Sequence, residues 1–112
     1  MESKTQHDLI VTIVNKGDAE KVVDASRKAG AEGGTILMGR GTGLHEPTRL
    51  FGILIEPQKA AVLTLVQRSI RDQVLEAIVA RTELNKPGRG IAYVIPVERV
   101  AGITHLISKD EG

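Results

Sequence analysis

Residues 60–79, AAVLTLVQRSIRDQVLEAIV, contain the change of hydrophobic period that decides the fold. The run from Ala60 to Val66 is continuous, short and apolar, which predicts a buried strand. From Gln67 the apolar residues recur with a period of about 3.6, which predicts an amphipathic helix. Its apolar positions are Ile70, Val74, Leu75, Ile78 and Val79, and its charged positions are Arg68, Arg71, Asp72 and Glu76. A strand that leads directly into a helix is therefore one unit of the fold.

The same unit occurs earlier in the chain. Residues 9–14, LIVTIV, predict a buried strand, and Asn15-Lys16-Gly17-Asp18 predicts the turn that ends it. Asp18 is a suitable N-cap for a helix over 19–29, and Gly30 is suitable for ending that helix. We therefore expect two strand–helix units.

Further strands complete the order of elements. Residues 35–38 and 91–95 predict strands, and a short tail follows from 100 to 107. Residues 51–55 and 60–66 are interpreted as two pieces of one hairpin arm, because Pro57 prevents a continuous central strand. The order strand, helix, strand, strand, helix, strand predicts an α+β ferredoxin-like βαββαβ fold, with an antiparallel sheet and both helices on one face.

The predicted sheet needs a partner on its other face. Strands 9–14 and 60–66 are apolar on both faces, whereas two helices cover only one. Burial of the second face between copies of the chain in an oligomer is the simplest solution.

Length and composition exclude several classes of protein. From its length of 112 residues we expect a single domain over residues 1–112. A net charge of +1 with interspersed charges, and few aromatic residues, argue against nucleic-acid binding. The absence of cysteine excludes disulfides and thiolate metal sites. With no leader and no membrane span expected, the predicted location is cytoplasmic.

Catalytic and metal-binding patterns are lacking. His7, His45 and His105 are far apart, and the adjacent pair His45-Glu46 cannot easily chelate a metal from one strand. No serine lies in a nucleophile-elbow motif, and none has an evident general base. The sequence therefore predicts neither catalytic residues nor a metal site, and the protein is not expected to be an enzyme.

Two glycine-rich segments could bind an anion. Gly39-x-Gly41-x-Gly43 and Pro87-Gly88-Arg89-Gly90 each lie beside a predicted strand, and glycine lets backbone N–H groups approach phosphate oxygens. Neither segment is a P-loop or a Rossmann fingerprint. From spacing alone, tight turns and a flexible loop explain the glycines equally well.

Three stretches resemble the PII signal-transduction family, and the resemblance extends from Leu9 to about Ile103. They are residues 29–43, residues 59–66, and residues 86–100 with the motif Lys-Pro-Gly-Arg-Gly. The resemblance implies a homotrimer with ATP or ADP in each cleft between neighbouring subunits. It also implies that a T-loop over residues 40–58 reports the bound state to a partner protein, with residues 1–7 as a flexible N terminus and 104–112 as a C-terminal tail.

The resemblance also implies a set of nucleotide-binding residues. They are Thr35, Gly41, Gly43, Lys59, Leu65, Pro87, Gly88, Arg89 and Gly90. Arg89, Lys86 and Arg40 are candidates for supplying positive charge near the phosphates.

The chain also departs from the family's pattern. Ile91 stands where typical members have the B-loop lysine, and Gly102 and Thr104 stand where they have two phosphate-binding arginines. The shorter T-loop contains no tyrosine, so uridylylation has no acceptor there. His45 replaces the glutamine that helps bind 2-oxoglutarate, which argues against sensing of that ligand. These differences predict a divergent member with an altered ligand preference.

The predicted function is that of an ATP- or ADP-sensing regulator of a transporter or metabolic enzyme in nitrogen-related metabolism, with the role of magnesium open. One alternative is a PII-like sensor of another small ligand, such as a cyclic nucleotide, because a singly charged phosphodiester needs fewer cations. Another is a ferredoxin-like protein that binds a metal or transfers phosphoryl groups.

Overall fold

The computed structural model describes residues 2–3, 6–42, 49–54 and 57–102. The strands are β1 (Glu2–Ser3), β2 (His7–Asn15), β3 (Thr35–Arg40), β4 (Arg49–Leu50), β5 (Ile53–Leu54), β6 (Gln58–Gln67), β7 (Gly90–Val97) and β8 (Val100–Ala101). The helices are α1 (Ala19–Lys28) and α2 (Arg71–Thr82), each preceded by a 3-10 turn, η1 (Lys16–Asp18) and η2 (Arg68–Ile70).

The central sheet confirms the predicted topology. Its strands lie in the order β3-β6-β2-β7, and every neighbouring pair is antiparallel. Along β6 the even-numbered residues from Ala60 to Val66 are buried, whereas the odd-numbered residues between them are half-buried. The buried face packs against α1 and α2, which also contact each other, around Ile10, Val22 and Ile78. Both helices therefore cover one face of a ferredoxin-like sheet.

The other face of the sheet, which we call the open face, is apolar. Tyr93 and Ile95 of β7 lie beside Val11 and Leu9 of β2 on this face. In the single chain Leu37, Ile91, Tyr93 and Ile95 are 51%, 56%, 42% and 46% exposed. A contiguous apolar surface on a sheet is typical of an interaction site.

The ribbon over 49–54 and the exact start of the second helix were not predicted from the sequence. Among the described residues, β4 and β5 pair with each other in a two-stranded ribbon that is separate from the sheet of β6, with Phe51 and Gly52 in its turn. Ile55 and Glu56, which would join this ribbon to β6, lie outside the described residues, so the hairpin arm stays a prediction. The second helix begins at Arg71 and not near Gln67, since β6 continues through Gln67 and η2 intervenes.

The first and last of the described strands pair with each other. Glu2–Ser3 pairs with Val100–Ala101, and His7 is fully buried at the start of β2. Residues 1, 4 and 5 of the segment predicted to be flexible lie outside the described residues. The predicted tail over 104–112 lies outside the described residues. Within the described ranges, no helix has the length and apolar character needed to cross a bilayer.

Candidate ligand-binding cleft

A cleft of about 800 Å³ lies at one end of the sheet. Its walls are residues 37–42 at the end of β3, Lys59 and Ala61 of β6, Ile13 of β2, and residues 84–88 with Gly90 and Ile91. The register explains why these segments meet, because Lys59 pairs with Asn15 and Gly90 pairs with Val14 at the same end. The two glycine-rich segments thus face one space, although they are far apart in sequence.

Five of the predicted site residues line this cleft: Gly41, Lys59, Pro87, Gly88 and Gly90. Thr35, Leu65 and Arg89 do not line it. Gly43, like His45, lies outside the described residues. The structure therefore brings Gly41, Lys59 and the loop glycines together, and it places Thr35 and Leu65 away from them.

The glycines of the cleft differ in what they contribute. A Cβ added to Gly41 or Gly88 would meet nothing within 4 Å, so their backbone borders open space. Gly88 has a φ of +79°, which favours glycine. Gly90 has a φ of +141°, and a Cβ there would overlap the carbonyl oxygen of Ile13. Gly90 is therefore required by packing, whereas Gly88 is free to approach a ligand.

Positive charge is concentrated at the cleft. Arg40, Lys59 and Lys86 line it, and none of its described lining residues is Asp or Glu. The Lys59 ammonium donates a hydrogen bond to the Asn15 side-chain oxygen at 2.6 Å across the β2–β6 pair. This contact positions Lys59 in the wall of the cleft. The arrangement favours an anionic ligand with an apolar portion, because Leu37 and Ile91 form other parts of the wall.

Glu83 is a residue that the sequence analysis missed. It ends α2 with a left-handed backbone, φ 55° and ψ 42°. Its Oε2 lies 2.5 Å from Lys86 Nζ and 3.7 Å from Arg89 Nη2. The hydrogen bond from Lys86, followed by the charges of Lys86 and Arg89, lowers the pKa of the Glu83 carboxyl. Arg89 is therefore directed towards Glu83 rather than into the cleft.

A second, smaller depression of about 270 Å³ contains Leu65 and the turn after α1, residues 29–32. Thr35 is exposed at the start of β3, where it pairs with Leu63. Leu65 is six positions beyond Lys59 on β6, which corresponds to about 20 Å along an extended strand. Within one chain, the predicted adenine contacts and the predicted phosphate contacts thus lie at opposite ends of the sheet.

A buried carboxylate fixes the start of α2. Asp8 is 1% exposed, and its carboxylate accepts hydrogen bonds from Arg68 at 2.8 and 3.0 Å and from Arg71 at 3.1 Å. The hydrogen bond from Arg68 is the main reason why the pKa of Asp8 is lowered. The helical pattern assigned Arg68 and Arg71 to a charged face, and it gave no sign of this partner. The cluster joins β2 to η2 and α2.

Comparison with known proteins agrees with this fold. The chain resembles the crystal structure of Arabidopsis thaliana PII bound to citrate, with a TM-score of 0.69 and 21% sequence identity over 89% of this chain and 85% of the other. A search of curated protein sequences finds no match. The family model for nitrogen regulatory protein P-II matches residues 7–105. That match covers most of the chain and includes both glycine segments, and so the chain belongs to the nitrogen regulatory protein P-II family of signal-transduction regulators.

Proposed function

We propose that this chain is a non-enzymatic regulator that binds an adenine nucleotide, ATP or ADP, in clefts between the subunits of a homotrimer. The single observation that carries the proposal is the 800 Å³ cleft, in which two glycine segments meet Lys59. Open backbone at Gly41 and Gly88 suits phosphate oxygens, since unobstructed N–H groups form anion-binding concavities. The apolar wall at Leu37 and Ile91 suits the uncharged part of a nucleotide.

The open face supports assembly into an oligomer. Its half-exposed aliphatic and aromatic side chains would lose their contact with water if neighbouring sheets packed together. Assembly would also address the separation of the predicted site residues. In a ring of subunits, the Thr35 and Leu65 end of one chain can lie beside the Gly88 end of its neighbour, which a single chain does not allow. The adenine and the phosphates would then be bound by different subunits.

The β4–β5 ribbon supports a role in partner recognition. Phe51 lies in its two-residue turn with a φ of 53° and is 94% exposed. Turns of this kind favour asparagine or glycine at such a position, so neither burial nor backbone preference accounts for a phenylalanine. An exposed aromatic ring at a loop tip is suited to insertion into an apolar pocket of a partner. We expect that partner to be a membrane transporter or a metabolic enzyme in nitrogen-related metabolism, and the regulator itself to act in the cytoplasm.

Calorimetric titration with ATP, ADP and AMP, with and without magnesium, tests the nucleotide proposal. We expect saturable binding by the wild-type protein and loss of binding by Gly88→Trp, because the indole would fill the open space in front of Gly88. Gly52→Trp is the matched control, since Gly52 also has a positive φ and open space around it but lies in the β4–β5 turn. Absence of binding by the wild-type protein, or equal loss in both variants, would contradict the proposal.

A second candidate is a ligand of lower charge, such as a cyclic nucleotide. The observation that favours it is the apolar Ile91 in the wall of the cleft, at the position where a lysine would supply charge. A singly charged phosphodiester needs fewer cations than a triphosphate. Adding cyclic AMP, cyclic di-AMP and citrate to the same titrations separates the two candidates, because tight binding of a cyclic nucleotide with weak binding of ATP would select the second.

A further inference from the structure

The carboxylate of Glu83 lies beside the basic residues of the loop over residues 84–90. Two turns shape the loop, with backbone hydrogen bonds from the Lys86 N–H to the Glu83 carbonyl and from the Arg89 N–H to the Lys86 carbonyl, at 3.0 and 3.4 Å. These turns direct both basic side chains back to one carboxylate, which lies 2.5 Å from Lys86 Nζ and 3.7 Å from Arg89 Nη2. Lys86 lines the ligand cleft and also a neighbouring groove that Glu83 lines. Its ammonium is therefore shared between the cleft and Glu83.

The backbone at Glu83 makes this residue unusual. Glycine or asparagine is favoured where a helix ends in a left-handed conformation, as it does at Glu83, because a Cβ makes that conformation strained. Glu83 adopts this strained conformation, and its side chain binds Lys86 and Arg89. Lys21 of α1 adds a weaker positive potential at the same carboxylate, whose lowered pKa agrees with this surrounding charge.

We propose that Glu83 is a specificity determinant of the cleft, because its carboxylate competes with ligand phosphates for Lys86 and Arg89. This competition disfavours highly charged polyphosphates relative to ligands of lower charge. This inference rests on the proposed function, since it concerns the ligand preference of the same site. A triphosphate gains most from contact with loop cations, and it must displace Glu83 to obtain them. It also experiences more repulsion from the retained carboxylate than a monophosphate does. A ligand held mainly by Lys59 and the open backbone at Gly88 loses little.

The variant Glu83→Gln tests the inference, with Glu76→Gln as the matched control. Both substitutions remove one negative charge from α2 or its end, and both residues border the same groove, but only Glu83 contacts the loop cations. Inorganic triphosphate and inorganic phosphate are titrated at low salt into wild type and both variants, alongside ATP and AMP. Inorganic probes report on the cations alone, without recognition of a base.

We expect Glu83→Gln to bind triphosphate at least threefold more tightly than wild type, and phosphate less than twofold more tightly, so that the ATP-to-AMP preference rises by a similar factor. Glu76→Gln should change each affinity by less than twofold. The inference is overturned if Glu83→Gln tightens the binding of both anions equally, leaves both affinities unchanged, or weakens them. It is also overturned if none of the three proteins binds triphosphate. A thermal melt without ligand tests whether Glu83 has a structural role, because loss of such a role would lower both the melting temperature and the affinity.

The same data distinguish this inference from the proposed function. If wild type binds ATP and Glu83→Gln binds it equally well, the inference fails while the nucleotide function stands. If wild type binds no adenine nucleotide but Glu83→Gln gains affinity for inorganic triphosphate, the nucleotide function fails while the role of Glu83 stands.

Discussion

Gly88 and Gly90 lie in one loop, but substitution by alanine is expected to change stability by different amounts at the two positions. Gly90→Ala places a Cβ against the Ile13 carbonyl oxygen in β2 and near side-chain carbons of Val14 and Leu84 at 3.1 and 3.2 Å. The strands must separate, at a cost of about 1–3 kcal/mol for overpacking, and the positive φ of +141° adds about 1–2 kcal/mol of backbone strain. Gly88→Ala incurs only the backbone strain, because nothing lies within 4 Å of its added Cβ.

We therefore expect Gly90→Ala to lower the free energy of unfolding by about 2–5 kcal/mol, and Gly88→Ala by about 1–2 kcal/mol. Such a loss from Gly90→Ala would be a large part of the total stability of a small domain. Urea unfolding followed by circular dichroism measures both at one protein concentration, since an oligomer's stability depends on concentration. Equal losses in the two variants would refute the reasoning from the Ile13 contact. Gly88→Ala should instead weaken nucleotide binding, because its methyl group faces the cleft.

Four further substitutions test other parts of the structure. Asp8→Asn should lower stability at pH 7 by about 1–3 kcal/mol, towards the lower end because both arginines are partly exposed. Because the folded pKa of Asp8 is lowered from 3.8, its contribution is present above that value and is lost as the pH falls through the folded pKa, so urea unfolding of wild type and variant should converge in strong acid. Ile95→Glu should give a folded monomer by light scattering, and a persistent trimer would argue against assembly through the open face. Lys59→Met should weaken ATP binding at least tenfold by calorimetry, since a charge-assisted contact is worth roughly 1.5–3 kcal/mol, and unchanged affinity would remove Lys59 from the site. Phe51→Asn should leave the melting temperature unchanged or raised, because asparagine suits the turn, and a marked fall would mean that the fold requires the ring.

The order of elements could be predicted from the sequence because local patterns carry it. The apolar run over 60–66 and the helical period after it reflect burial on one face, which depends on neighbours in sequence. The PII resemblance also depends on contiguous residues, such as the motif at 86–90. Gly41, Gly88 and Lys59, which the resemblance assigned to one nucleotide site, line the same cleft because the ferredoxin-like topology places them at one end of the sheet.

The sequence did not predict which side chains that are far apart in the chain contact each other. The helical pattern treated Arg68 and Arg71 as a solvated face, since nothing near them in the chain indicated that Asp8 would be buried beside them. Likewise, Arg89 was expected near ligand phosphates, but the two turns of the loop direct it towards Glu83.

The sequence by itself thus determined the family, the α+β order of strands and helices, and the two glycine segments, because these depend on period, composition and contiguous motifs. Tertiary structure decided which charges face the cleft and which are already paired. It also decided that Thr35 and Leu65 lie at the opposite end of the sheet from Gly88. The physical reason is that strand register and turn geometry fix the directions of side chains far apart in sequence, and charge pairing follows distance in space.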